Sequence, residues 1–221
     1  MFRLETYMED LISLLQDTFE KKLLYVGLQG SYLRDEANAN SDIDVMVVFD
    51  DIFIHDLDVY RNILTTIGNF DKACGFICGK SELTNWNPLE ICHLLHSTKD
   101  YYGKLEDYVP AYTHEDEKNF VKLSLNNLFH ELCHRYIHAS KEHNNAKLPT
   151  TYKSVFFIIQ NIYYLDTGIF ISTKNELLDC IHKDDKEVLT KEIELKNAVD
   201  YDFEKSFNLI FEWCKKAMSR I

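Results

Sequence analysis

The chain has 221 residues, with 24 Lys and Arg against 36 Asp and Glu, a formal net charge of −12. Its 46% hydrophobic and 13% aromatic residues supply a buried core and exclude the disordered and low-complexity classes. A surface this acidic repels phosphate backbones, so no extended nucleic acid is expected as a partner; a cationic partner, or an anion held through metal ions, suits it better.

Only 7 Gly and 3 Pro occur, which predicts long regular elements. No apolar run approaches the roughly 18–20 residues of a membrane span, so no membrane partner is expected. Glu5, Glu9 and Asp10 stand where a signal peptide would carry basic residues. Six scattered cysteines without CxxC pairs read as reduced, mostly buried thiols of a cytoplasmic protein.

In chain order, Leu4 to Lys22 has helical spacing, with Leu4, Met8, Leu11, Ile12, Leu15 and Phe19 on one face. Strands follow at Leu23–Leu28 and Ile43–Phe49, a helix at His55–Ile67, a third strand at Lys72–Cys78 and a helix at Glu90–His96. Beyond Pro110–Thr113 the pattern turns helical throughout. Glu115–Lys141 offers Phe120, Leu123, Leu128, Leu132 and Tyr136 as core candidates; Tyr152–Leu165, Lys174–His182, Lys186–Ala198 and Phe203–Met218 complete a bundle. The expected fold is α+β, a small mixed-sheet domain over 1–112 followed by an all-helical domain over 113–221. Residues 1–110 carry 9 basic and 19 acidic side chains, net −10, and the remainder 15 and 17, net −2.

The chemistry is concentrated between the first two strands. Asp42 and Asp44 alternate with Ile43 and so project from one face of a strand, their Cα atoms about 6–7 Å apart. Two carboxylates at that spacing can share a hard divalent ion completed by phosphate and water oxygens. Ile43, Val45 and Val47 then face the core. Gly30-Ser31 follows the first strand directly, where glycine permits close backbone approach and the Ser31 hydroxyl can meet a phosphate tail. Arg34, one turn on, can add a charge-assisted contact.

Gly30-Ser31, Arg34 and the run Ser41-Asp42-Ile43-Asp44-Val45 together resemble the polymerase-beta-type nucleotidyltransferase superfamily. An α/β half followed by a helical bundle also resembles its aminoglycoside and lincosamide nucleotidyltransferase branch. The resemblance implies Mg2+ on Asp42 and Asp44, two ions being possible, and ATP or another NTP as substrate. It implies a nucleotide held by Gly30, Ser31, Arg34 and Ser41, and transfer of NMP to a hydroxyl of a small acceptor with release of pyrophosphate. The acidic N-terminal half suggests a cationic acceptor such as an antibiotic. Glu131 is the helical half's candidate general base. Lys153, expected at a helix start after Leu148-Pro149-Thr150-Thr151, is its candidate triphosphate contact. Tyr152 beside it could stack on a base, although packing within the bundle suits it better. A homodimer is left open.

The pattern departs from the family in one respect. A third carboxylate is usual on a later strand of the same sheet, yet the Lys72–Cys78 strand has none and Asp71 and Glu82 only flank it. A non-catalytic nucleotide-binding or antitoxin-like partner-binding protein is therefore the alternative. A rival motif, His130-Glu131-Leu132-Cys133-His134, is a literal HExxH, with His138 on the same face. It lacks a metalloprotease continuation, and a histidine stripe at a helix interface is the better reading. An Arg–His ribonuclease spacing does not fit either: Arg135 precedes His138 and His143 by the wrong intervals.

Overall fold

The computed structural model describes residues 2–196, 198 and 200–221. The described chain divides into two compact units, Met1–Tyr112 and Thr113–Ile221.

The first unit runs α1 (Leu4–Phe19), β1 (Leu23–Leu28), α2 (Gly30–Leu33), β2 (Ile43–Phe49), α3 (Ile54–Ile67), β3 (Ala73–Gly79), α4 (Lys80–Thr84), α5 (Pro88–His96) and β4 (Lys99–Tyr102), with short 3-10 turns between some of them. Its sheet has the order β3-β2-β1-β4. β1 pairs antiparallel with β2 and β4, while β2 and β3 are parallel, joined through α3. β2 is central, and its side chains alternate between two cores. Ile43, Val45, Val47 and Phe49 pack with Met8, Leu11 and Leu15 of α1 and Ile63 of α3. Met46 and Val48 pack on the other face with Tyr25, Cys78, Leu83 and Leu105. Burial on both faces is why this strand reads as a continuous apolar run. Within the strand only Asp44 escapes that burial, and Asp42, just before it, is exposed.

Several boundaries shift from the sequence reading. The first helix ends at Phe19 and a 3-10 turn, Glu20–Lys22, leads into β1. α2, α4 and β4 are short additions: four, five and four residues give too little periodicity to read. Asp56 fixes the start of α3, accepting from the Phe53 N–H at 2.7 Å and from Lys22 at 2.5 Å.

The second unit comprises α6 (His114–His138), α7 (Lys141–Thr167), α8 (Lys174–Cys180), α9 (Lys183–Lys196) and α10 (Phe203–Arg220). Of the expected 186–198 helix, Asn197 lies outside the described residues. The buried stripe of α6 is Val121, Leu125, Leu128 and Leu132. Leu123 and Tyr136, expected in the core, are exposed, because the i, i+4, i+7, i+11 stripe runs through Val121 instead. Tyr152 is fully buried and its hydroxyl donates to the Ser206 carbonyl at 2.6 Å, so it packs in the bundle.

α7 corrects the sequence reading most. It is one helix of 27 residues with Pro149 inside it. Proline donates no N–H to the carbonyl four residues back, Asn145 O. The Tyr201 hydroxyl donates to that carbonyl in its place. All six cysteines are free, but Cys74 and Cys180 are exposed and Cys133 only part-buried, so the thiols are less buried than expected. No helix among the described residues is long and apolar enough to cross a membrane.

Candidate active site

β1 stops at Leu28, Gln29 remains extended, and Gly30 turns the chain into α2 with φ +72°. The Gln29 N–H donates to the Asp44 carbonyl at 2.8 Å, binding this turn to the head of β2. A Cβ built on Gly30 would lie 1.9 Å from Asp44 Oδ2. The carboxylate therefore occupies the space that any other residue at position 30 would need. Glycine is required twice here, for the left-handed φ and for the close approach.

Asp42 is exposed and Asp44 half-buried. Burial raises the proton affinity of the Asp44 carboxyl; a hydrogen bond from Cys74 opposes that, the Asp42 charge adds to it and Arg34 offsets part of it. The two carboxylates thus repel each other in a partly desolvated corner, an arrangement that favours a bound cation.

The remaining N-terminal candidates lie on the connection between β1 and β2. Ser31 sits in the first turn of α2 and is half-buried. Arg34 caps the C-terminal end of α2, its Nε 3.2 Å from Glu36 Oε2. Ser41 Oγ accepts from the Asn38 N–H at 2.9 Å, while Asn38 Oδ1 accepts from the Asn40 N–H at 2.9 Å. Ser41 thus also shapes the loop that delivers Asp42. Gly30, Ser31, Arg34, Ser41, Asp42 and Asp44 all belong to this one strand–turn–strand segment.

Glu131 and Lys153 stand in the second unit. Glu131 Oε1 lies 3.0 Å from Arg135 Nη1 and accepts from Thr151 Oγ1 at 3.0 Å. Lys153 is exposed in the interior of α7, so the helix N-terminus expected to assist it is absent. Sequence reasoning carried the helix start too far along because it took Pro149 for a boundary.

Sequence reasoning missed Cys74. In the parallel register of β2 and β3, Asp44 is opposite Cys74, whose thiol hydrogen-bonds the Asp44 carboxylate. This is the position on the neighbouring strand where a third acid would reach the pair. Glu82, in α4 after the far end of β3, is remote from it in register. Matching Ala73 to Ile43 would have revealed the pairing, but the sequence alone does not fix a parallel register. His93 was missed too. Burial, with the Arg34 and His96 charges, lowers its pKa to about 4, so it is neutral beside Arg34 at pH 7.

Among the described residues, no three His, Cys, Asp or Glu side chains form a metal-holding group. Two carboxylates nevertheless suit Mg2+, which keeps waters and takes the rest of its octahedron from substrate phosphates. The donor set fits an ion that arrives with a nucleotide. His130, His134 and His138 are exposed along α6, with ring centroids 5.7 and 4.8 Å apart, so the stripe faces solvent instead of a helix interface.

Residues 10–70 match the family model of the nucleotidyltransferase domain, a segment that begins within α1 and takes in the turn at Gly30-Ser31 and both aspartates. The chain has the nucleotidyltransferase fold: a small four-stranded mixed sheet followed by a helical region. It superposes on the spectinomycin adenyltransferase AAD(9) of Enterococcus faecialis, solved with ATP and spectinomycin, with a TM-score of 0.60 at 15% identity over 98% of this chain and 100% of that one. A nucleotidyltransferase-like protein from Exiguobacterium sibiricum 255-15 overlaps with a TM-score of 0.37 at 11% identity, over 96% of this chain and 74% of that one. No protein of curated function matches the sequence.

Proposed function

We propose that the protein is a Mg2+-dependent nucleotidyltransferase that moves an NMP, AMP from ATP in the first instance, onto a hydroxyl of a small cationic acceptor such as an antibiotic, releasing pyrophosphate. The observation that carries this reading is the Asp44 carboxylate seated against Gly30, with Asp42 two residues earlier, immediately before the same strand. The likeness to an adenyltransferase solved with ATP and spectinomycin supports the choice of substrates.

Transfer of this kind asks a protein mainly for positioning and neutralisation of charge. Asp42 and Asp44 hold the metal, which when bound supplies charge neutralisation at the phosphates. The Ser31 hydroxyl and the amides of the Gly30 turn orient the phosphate tail. Arg34 adds a guanidinium on the same side, and Ser41 keeps the loop that presents Asp42. Glu131 and Lys153 carry no part of this reading, since Glu131 is engaged by Arg135 and Thr151 and Lys153 lies mid-helix.

The test is pyrophosphate release over a panel of hydroxylated acceptors with ATP and Mg2+. Asp42→Asn and Asp44→Asn each lower turnover at least 100-fold while leaving Tm within a few degrees. Full turnover in either variant overturns the mechanism.

Cys74 opposite Asp44 supports a second reading, a nucleotide-binding protein without turnover. Calorimetry with ATP, with and without Mg2+, separates the two. Metal-dependent binding without release of pyrophosphate on any acceptor favours the second.

A further inference from the structure

Within the helical unit, α6 and the N-terminal half of α7 line a cavity of about 390 Å³. Its wall carries Arg135, Lys147 and His143 against one acid, Glu131, in a chain whose net charge is −12. Thr150 and Ser154 add hydroxyls.

Glu131 does not neutralise the whole guanidinium. Its Oε1 takes only Nη1 of Arg135, at 3.0 Å, and also accepts from Thr151. Nε and Nη2 of Arg135 are buried and have no acceptor. Those two atoms form the side-on edge of the guanidinium, whose parallel N–H bonds match two oxygens of a phosphoryl group. Charged donors left buried without an acceptor are costly, and an incoming oxyanion removes that cost. Lys147, four residues before Thr151 on the same helix and exposed, supplies a second positive charge at the cavity.

We propose that this cavity is an anion site that takes the phosphoryl group of a small phosphate ester. Arg135 provides the bidentate edge, Lys147 the second charge, and Glu131 holds the guanidinium in orientation. Binding displaces the side chains that bury the Nε–Nη2 edge, while Glu131 keeps Nη1 in place. The cavity exceeds a bare phosphate ion, which leaves room for the ester's organic part.

The experiment is titration of the full-length protein with glycerol 3-phosphate, inorganic phosphate and acetate, at low salt without Mg2+, followed by calorimetry. Glycerol 3-phosphate is expected to bind most tightly and acetate most weakly. Arg135→Lys keeps the charge but loses the fork, and is expected to weaken the ester about tenfold. Lys147→Gln, at an exposed position, is expected to weaken it at least threefold. If Arg135→Lys fails to fold by circular dichroism, the Lys147→Gln result alone decides. Unchanged affinity in the folded variants places the anion elsewhere and overturns the proposal, as does absence of binding by both phosphate probes at millimolar concentration.

Discussion

Gly30 and Asp44 are interlocked: one has no side chain, and the other's carboxylate fills the resulting space. Gly30→Ala must relieve a contact of 1.9 Å and abandon a φ of +72°. The expected result is loss of at least 1 kcal/mol of stability together with near-complete loss of nucleotide transfer, read by chemical denaturation and pyrophosphate release. Cys74 offers the converse substitution. Cys74→Asp places a third carboxylate opposite Asp44, and with Mg2+ present it should raise turnover, or create it if the parent has none. Without the metal it should lower Tm, because three acids then share one corner. His93 gives the pH dependence. Its folded pKa of about 4 lies below the ordinary 6.5, so the unfolded chain takes up the proton first as the medium is acidified. The contribution of His93 to stability is therefore full above about pH 6.5 and is lost as the pH falls through about 4. Replacing His93 with Gln should flatten that limb of a urea-midpoint against pH curve.

At the scale of elements, α7 shows how a proline can sit inside a helix. The carbonyl that Pro149 leaves unpaired is satisfied by a hydroxyl from outside the helix, Tyr201, itself placed just before α10. Tyr201→Phe should cost about 1 kcal/mol, and the cost should shrink in a Pro149→Ala background, where the backbone supplies the missing donor. Equal losses in both backgrounds would show that the hydroxyl acts otherwise. The same proline explains the misplaced helix start at Lys153. A Pro-Thr-Thr sequence reads as a boundary, because the partner that rescues the carbonyl is more than 50 residues away. The strand assignments fared better for a physical reason. β2 is flanked by Asp42 and Asp50, β1 leads into the turn at Gly30, and both carry apolar side chains on two faces.

For the whole molecule, charge is the dominant feature. Residues 1–110 hold most of the net charge of −12. If the acceptor is cationic, this field draws it in, and salt weakens the attraction as the Debye length falls from about 10 Å at 0.1 M to about 3 Å at 1 M. KM for a polycationic acceptor should therefore rise severalfold over that range, against little change for a neutral one. A salt-independent KM would remove the argument for a cationic acceptor. The Arg135 cavity runs against this field, carrying three cationic or titratable basic groups beside one acid.

By itself the sequence determined the order of elements around the carboxylate pair, and it suggested the class of chemistry proposed for them. Alternation along a strand and the Gly-Ser turn are local properties, expressed by residues within about 20 positions of one another. It also assigned Ile43, Val45 and Val47 to the core, since period-two burial needs no knowledge of partners. Only the tertiary structure decided which residue stands across from Asp44, what satisfies the carbonyl behind Pro149, and which edge of Arg135 is left without an acceptor. Each of those depends on a register or contact between segments far apart in the chain, and such pairings are set by packing, which no local pattern encodes.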